Sequence, residues 1–289
     1  KWRPLWEFSY KSFKDLFGFG SKLLLSGLID VFYKNVYYIV IGRYYSATQL
    51  GQYTRAEQFS TIFSSNLTSV FQRVSYPVLS SIQEEPERLR DAYRKIIKVT
   101  MLITFALMFG LAAIAKPLIV ILIGEKWLMA VPFLQIICFS EMLYPLHAIN
   151  LNILQVRGYS GLFLKLEIVK KIIAVIPIMI GIFWGINYML WGAVCISLVS
   201  YILNSYYSGR LIDYSTVKQV KDIFPCFLVS SLVALLMWGI TFLHFNFLVT
   251  LLLQVSVGIL LAIVAYERMR LEEYKEIRRI ILSIIRKNS

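Results

Sequence analysis

Eight long apolar stretches most restrict how this chain can fold. Each reaches the roughly 20 residues that an α-helix needs to cross the hydrocarbon core of a bilayer, and the alternation of a membrane barrel strand is absent. Because backbone polar groups in lipid must be paired internally, the sequence predicts an all-α, polytopic transmembrane helix bundle of about eight spans. The predicted spans are 23–42, 58–79, 99–123, 128–155, 162–184, 188–207, 223–243 and 247–266.

The composition agrees with a lipid environment and argues against a soluble enzyme. Of the 289 residues, 58% are hydrophobic and only 16% are charged, whereas an ordinary globular chain carries about 25% charged residues. The sequence has no phosphate-binding glycine loop and no His, Cys, Asp or Glu cluster with the spacing of metal ligands. Its three cysteines all lie in apolar spans. We therefore predict no enzymatic activity, no catalytic residue, no cofactor and no metal.

The Lys and Arg residues predict the topology of the chain. Every second connection between the spans is rich in Lys and Arg, whereas the intervening connections are short and carry few. Positively charged connections usually face the cytoplasm, so both ends of this chain are predicted to be cytoplasmic. The net charge of +13 then reflects topology and attraction to anionic lipid, and it gives no reason to expect a nucleic-acid partner. The five basic segments, which hold 24 of the 30 Lys and Arg residues, are 1–22, 80–98, 157–171, 207–222 and 266–289.

Both ends of the chain are predicted to lie on the membrane surface. Residues 1–22 place aromatic side chains at helical spacing beside basic ones, which predicts an amphipathic interfacial linker helix; an extended linker anchored by its aromatic residues is the alternative. Residues 267–289 repeat the pattern and predict a basic amphipathic cytoplasmic tail. The chain starts at Lys1 without an initiator methionine, so we expect it to be a fragment of a longer protein.

Polar residues within the first two spans are candidate functional residues, because each is costly in lipid unless it faces water or a partner. Asp30 and Lys34 lie one helical turn apart. They either pair with each other or line a cavity, in which Asp30 could exchange a proton or hold a cation. Arg73 in the second span either reaches the cytoplasmic surface or binds a phosphate.

The fourth predicted span has an unusual pattern of prolines and ionisable residues. Pro132 and Pro145 flank Glu141, and His147 follows. Proline frees a backbone carbonyl and kinks a helix, and transporters often place such breaks beside the substrate path. Glu141 and His147 are therefore candidates for ion coupling, although a satisfied interfacial histidine is the alternative for His147.

Six blocks of the sequence, taken together, resemble the carboxy-terminal half of bacterial oligosaccharide flippases. These are the Wzx-type polysaccharide transporters of the multidrug/oligosaccharidyl-lipid/polysaccharide exporter superfamily. The resemblance implies two helical lobes around a central cavity. Residues 23–207 would be the six-helix carboxy-terminal lobe, 208–266 two additional transmembrane helices, and the amino-terminal lobe would be missing. The blocks are FGSKLLLSGLID, NVYYIVIGRYYSATQLGQYTRAEQF, NLTSVFQRVSYPVLSSIQ, GEKW, PLHAINLNIL and GLFLKLEIVKK.

The resemblance also implies a function, a location and partners. A flippase of this kind moves polyprenyl-pyrophosphate-linked oligosaccharide across the bacterial cytoplasmic membrane for lipopolysaccharide, capsule or exopolysaccharide biosynthesis. The expected partners are the lipid-linked oligosaccharide, the missing lobe and membrane lipid. For this anionic, sugar-bearing cargo the expected substrate-binding residues are Lys34, Arg43, Arg55, Arg73, Gln58 and Asn66, with Asp30, Glu141 and His147 for ion coupling.

Three alternatives remain at this point. A multidrug exporter of the same superfamily would share the fold but would favour carboxylates over arginines in its cavity. A flippase for the peptidoglycan lipid precursor is closer in chemistry. A non-transporting structural subunit would use its polar residues only as satisfied contacts between helices. Loss of activity on removing the charge of Arg73 or Lys34, without loss of folded protein, would argue against this alternative.

Overall fold

The part of the chain that the structure describes is built from ten α-helices. A computed structural model describes residues 8–269 and residue 274, apart from the side chains of Asp15 and Lys34, and the described residues contain no strand. The predicted all-α fold is therefore confirmed. The helices are α1 (Tyr10–Tyr44), α2 (Ala47–Ser81), α3 (Pro86–Ile123), α4 (Ala130–Glu141), α5 (Tyr144–Val156), α6 (Ser160–Ile173), α7 (Val175–Trp184), α8 (Ile186–Ile212), α9 (Thr216–Gly239) and α10 (Phe247–Arg268).

Five of these helices are long and apolar enough to cross a membrane: α1, α3, α8, α9 with its following turn, and α10. Helix α2 has 35 residues but does not reach the same apolar content. The chain is thus a multi-pass membrane helix bundle. The predicted spans 128–155 and 162–184 are each divided into two shorter helices, α4 with α5 and α6 with α7.

Prolines explain both divisions. A proline has no N–H to donate, and its ring displaces the carbonyl four residues earlier. Pro145 stands four residues after Glu141, where α4 ends, and Pro177 stands four residues after Ile173, where α6 ends. Pro132 lies in the first turn of α4 and interrupts no helix. The predicted break beside Glu141 is thus present and has its origin in Pro145.

The chain ends differ from the predicted segments where the structure describes them. Helix α1 runs without interruption from Tyr10 to Tyr44, so no helix boundary separates the predicted linker from the first span at residue 22. Residues 1–7 and nearly all of the predicted tail 267–289 lie outside the described residues. The division of the chain into linker, six-helix lobe, added pair and tail stays a prediction.

A helix cap sets the tight turn between the first two helices. The Ser46 hydroxyl accepts a hydrogen bond from the Gln49 N–H (3.2 Å), and the Gln49 side chain accepts one from the Ser46 N–H (3.4 Å). This reciprocal pair satisfies two backbone donors that the start of α2 would otherwise leave free. Since only Tyr45 and Ser46 separate the two helices, the cap makes α1 and α2 neighbours at this end of the bundle.

The packing divides the bundle into a central group and two flanking elements. Helices α2, α3, α4, α5 and α8 pack against one another, α1 lies mainly against α6, and the pair α9 and α10 lies against α3. Fully buried side chains such as Tyr93, Phe105 and Leu134 fill the centre. The last helix pair is therefore attached to the bundle through α3.

An ion-pair cluster, which we call the α3–α9 clasp, holds α9 on α3. Arg94 donates two hydrogen bonds to the Asp222 carboxylate, from Nε at 2.6 Å and from Nη2 at 2.7 Å, and the Tyr214 hydroxyl donates a third at 2.6 Å. Burial, together with the hydrogen bond to Asp222, raises the pKa of Tyr214, so its hydroxyl stays protonated and continues to donate. Paired, two-point guanidinium contacts of this kind are among the stronger hydrogen bonds in proteins.

Asp222→Asn should destabilise the attachment of α9 and α10. The amide loses the charge and one of the two acceptor oxygens that Arg94 uses, which should cost on the order of 1–3 kcal/mol. The measurement is the thermal unfolding midpoint of the full-length protein in lipid nanodiscs. Asp91→Asn is the matched control, because Asp91 is 75% exposed and 3.7 Å from Arg90; an equal midpoint for both variants would show that the clasp contributes no stability.

Candidate functional site

A cavity of about 690 Å³ lies among six helices of the bundle. Its described lining comes from α1, α2, α4, α5, α6 and α8, with Ala174 between α6 and α7, and none comes from α3, α9 or α10. The volume falls within the range of about 300–1,000 Å³ that is usual for small-molecule sites. The lining mixes aliphatic side chains with tyrosines, serines, amides and charged groups. This is a polar cavity within an apolar bundle.

Carboxylates outnumber ammonium groups among the described lining residues. There are four carboxylates and two lysines, so the formal charge of these groups is negative even though the chain as a whole is positive. The carboxylate, lysine and histidine residues of the lining are Asp30, Glu57, Glu141, Glu167, Lys170, Lys171 and His147.

One part of the lining is a group of tyrosines around a carboxylate, which we call the tyrosine group. The Tyr38 hydroxyl on α1 donates to the Glu57 carboxylate on α2, and the Tyr38 ring meets the Tyr53 ring edge-on with centroids 5.9 Å apart. The Tyr33 hydroxyl donates to the Tyr37 hydroxyl at 3.0 Å. These contacts fix the aromatic rings and leave a carboxylate among them.

A second part of the lining, on α6, carries two consecutive lysines. Lys171 pairs with Asp30 of α1 at 2.6 Å, and its ammonium lies 4.4 Å from the centroid of the Tyr33 ring. Lys170 pairs with Glu167, one turn earlier on the same helix. Asp30 is thus paired across helices. Its predicted local pairing with Lys34 is not described, because the Lys34 side chain lies outside the described residues.

The break between α4 and α5 brings a carboxylate and an imidazole to the cavity. The Ser64 hydroxyl on α2 donates to the Glu141 carboxylate at 2.8 Å. The Ser197 hydroxyl on α8 donates its one proton to the Ser140 carbonyl at 2.8 Å. The 3.1 Å contact between His147 Nε2 and the Ser197 oxygen therefore requires that Nε2 carries the hydrogen. Both side chains are held in place at the cavity wall.

Four of the predicted site residues line this cavity. Asp30, Glu141 and His147, the ion-coupling candidates, lie on its wall together with Gln58. The three ion-coupling candidates thus lie on the cavity wall, and their roles stay predictions.

The predicted arginines and Asn66 are not among the residues that line the cavity. Arg43 and Arg73 are exposed on the surface of the bundle. Arg55 lies 5.3 Å from the centroid of the Trp127 ring and donates to the Gln58 side chain at 2.9 Å. Asn66 donates to the carbonyl of Ile62 at 2.6 Å. A cationic wall made by these arginines is not a feature of this cavity.

Sequence reasoning missed several charged lining residues. Lys170 and Lys171 belong to the basic segment 157–171, from which the topology is predicted, but they also lie inside the predicted span 162–184. Their position within a span is the sequence signal that could have identified them as lining residues. Glu167 stands three residues before Lys170, a spacing that allows pairing on one helix face. Glu57 immediately precedes the second predicted span, 58–79, and its contact with Tyr38 depends on how α1 and α2 pack.

Comparison with known proteins gives matches among polysaccharide biosynthesis proteins. Residues 1–132 match the family described as "Polysaccharide biosynthesis protein". The teichuronic acid biosynthesis protein TuaB of Bacillus subtilis is 26% identical over 89% of this chain and 54% of its own length. The lipopolysaccharide biosynthesis protein WzxC of Escherichia coli is 26% identical over 62% of this chain and 37% of its own. The probable low-salt glycan biosynthesis flippase Agl15 of Haloferax volcanii is 22% identical over 94% of this chain and 59% of its own. No solved structure gives a significant match.

The fold and these matches define the chain as part of a multi-pass membrane protein related to polysaccharide biosynthesis proteins. More particularly, the resemblance to the Wzx-type flippases is confirmed. The chain spans about half the length of TuaB.

Ser65→Cys should react with a charged, water-soluble thiol reagent in membranes. Ser65 is exposed and lines the cavity, and a thiol is modified in water, where its thiolate can form. The measurement is labelling of the intact protein by mass spectrometry. Cys195 is the internal control, because it is exposed but does not line the cavity and lipid should protect it. Labelling at Ser65→Cys as low as that expected for Cys195 in lipid would contradict a water-filled cavity.

Proposed function

We propose that the protein carrying this chain is a flippase that moves polyprenyl-pyrophosphate-linked oligosaccharide across the bacterial cytoplasmic membrane. The cargo would serve lipopolysaccharide, capsule or exopolysaccharide biosynthesis, and the protein would not act as an enzyme. The observation that carries the proposal is the polar cavity inside an apolar bundle. Sugar and phosphate groups cannot cross hydrocarbon unaided, because transfer of unpaired polar and charged groups out of water costs many kcal/mol.

The tyrosine group suits the carbohydrate part of this cargo. The Glu57 carboxylate can accept hydrogen bonds from sugar hydroxyls, and the Gln58 amide can accept or donate them; both residues line the cavity. Tyr38 adds an aromatic body with a polar tip, which is suited to a partner that is apolar on its faces and polar at its edges. We assign the recognition of sugar to this part of the wall.

The exposed polar residues of α2 are evidence for a further lobe that covers this helix. Arg55, Asn66 and Arg73 are exposed on this helix, and such groups are costly against lipid but not against water or another polar helix. The match to TuaB covers only 54% of that protein's length. We propose that the missing amino-terminal lobe faces α2, and that Arg43, Arg55, Arg73 and Asn66 border the space between the lobes.

Ion coupling is proposed for the wall formed by α4, α5 and α1. Glu141 and His147 lie beside the break between α4 and α5, and Asp30 on α1 lines the same cavity. A helix break leaves backbone groups available beside these side chains, as in transporters with discontinuous helices. With both chain ends in the cytoplasm, as the basic connections predict, movement of two lobes would expose this wall to each side in turn.

A multidrug exporter of the same superfamily is the second candidate, and one observation favours it. The described wall has four carboxylates and two lysines, and an excess of carboxylates suits a cationic drug. The two candidates differ in cargo and not in fold. The transport experiment below distinguishes them.

Deletion of the gene should trap lipid-linked glycan on the inner face of the membrane, and Glu57→Gln should slow its appearance outside about tenfold or more. The variant loses a charged acceptor for sugar hydroxyls, and a charge-assisted hydrogen bond contributes about 1.5–3 kcal/mol. The measurement is outer-face accessibility of lipid-linked oligosaccharide in spheroplasts at matched protein levels.

Glu125→Gln is the matched control for that experiment. Glu125 is exposed in the connection between α3 and α4 and does not line the cavity, so transport should stay at the wild-type rate. Normal glycan export after gene deletion, in a strain without a second carrier, would reject the flippase. Loss of export of a cationic dye in the same deletion strain would then favour the drug exporter.

A further inference from the structure

The two lysines on α6 are the ammonium groups among the described lining residues of the cavity. We infer that Lys170 and Lys171 form the binding site for the diphosphate of the cargo, and that Asp30 and Glu167 are exchangeable counter-ions that the diphosphate displaces. This inference rests on the proposed function, because it assigns the anionic part of the same cargo. It places the diphosphate on α6 and not on the arginines of α1 and α2.

The position of the lysines supports a binding role. They are consecutive in the sequence, and both belong to the cavity wall. The Lys171 side chain is 21% exposed and that of Lys170 is 10% exposed, so both are withdrawn from bulk water but border the cavity. Arg43 and Arg73, by contrast, are exposed on the surface of the bundle and do not line the cavity.

The carboxylate partners explain how two lysines remain in the wall without cargo. An unpaired ammonium inside a bundle would be costly, and pairing with a carboxylate offsets that cost. Lys171 has Asp30 at 2.6 Å on a different helix, and Lys170 has Glu167 on its own helix. The wall is therefore neutral at this point before cargo arrives.

A diphosphate is the ligand chemistry that competes best with these carboxylates. It carries more negative charge than a single carboxylate and offers several acceptor oxygens, so one diphosphate can meet both ammonium groups. Charge-assisted hydrogen bonds to phosphate are short and strong, and lysine commonly binds phosphate as a point charge. Because Asp30 repels the incoming anion as well as holding Lys171, its charge opposes binding.

The exchange has a structural consequence at α1. This helix packs mainly against α6, and the Asp30–Lys171 pair is a direct link between them. When the diphosphate binds Lys171, the Asp30–Lys171 ion pair breaks, while the Tyr33 ring remains next to the Lys171 ammonium. Binding of the anionic group would thus loosen the contact between α1 and α6 in the loaded protein.

The test compares two single-charge variants with opposite expected effects. The full-length protein is placed in nanodiscs of zwitterionic phosphatidylcholine, and its affinity for a fluorescent polyprenyl diphosphate is measured. Lys171→Gln should weaken binding about tenfold or more, because it removes a charge-assisted contact. Asp30→Asn should tighten binding several-fold, because it removes the competing charge. Lys171→Arg should retain most of the affinity.

Lys165→Gln is the matched control, since Lys165 lies on the same helix but is exposed and does not line the cavity; its affinity should equal that of the wild type. Unchanged binding in both Lys171→Gln and Asp30→Asn, or weaker binding in both, would overturn the inference and leave a purely structural ion pair. Thermal unfolding of each variant confirms that it is folded.

Two further arms identify the source of the phosphate. Inorganic pyrophosphate should compete with the polyprenyl diphosphate if the diphosphate itself is recognised. Nanodiscs that contain phosphatidylglycerol should leave the affinity unchanged; strong competition by this lipid would overturn the assignment to cargo in favour of a phospholipid headgroup.

If wild-type protein exports glycan while Lys171→Gln binds normally, the inference fails and the flippase stands. If wild-type protein exports no glycan, the proposed function itself fails.

Discussion

The need to pair every backbone polar group inside the hydrocarbon region governs this structure. It makes each described span helical, and it restricts irregular backbone to places where protein or water can satisfy it. The two breaks caused by Pro145 and Pro177 follow this rule, because α4, α5 and α6 all contribute to the cavity wall. At the first break the Ser197 hydroxyl pairs with the Ser140 carbonyl. The helix breaks are thus tolerated because they lie beside the cavity, where protein or water can pair the freed backbone groups.

The charges of the wall obey a similar rule. Each of the four carboxylates has a described partner: a lysine for Asp30 and for Glu167, a tyrosine for Glu57 and a serine for Glu141. The proposed cargo would therefore meet carboxylates that already have partners, in a wall with more carboxylates than ammonium groups. The polar groups of the cargo would have to replace these existing contacts, and the selectivity of such a site would depend on how readily each contact is given up.

The sequence predicts the helical class and the approximate spans, because a run of about 20 apolar residues has few alternatives. It also places Asp30, Glu141 and His147 on the cavity wall, since ionisable residues within spans tend to face the interior. It could not assign Arg55 or Arg73 to a surface, because helical periodicity gives the angle between side chains but not which face meets the cavity. The cross-helix pair of Asp30 and Lys171, 141 residues apart, depends on packing between distant segments.

Helices α9 and α10 pack on α3, away from the cavity. This pair and the cavity wall are therefore under different evolutionary constraints. The described residues of this pair do not line the cavity, so substitutions there affect the contact with lipid and the α3–α9 clasp and not the cavity wall. The pair could therefore change to suit a membrane of different thickness or composition while the cavity lining stays the same. Under the proposed flippase function, a change of the transported glycan would alter lining residues on α1, α2 and α6 and spare the last two helices.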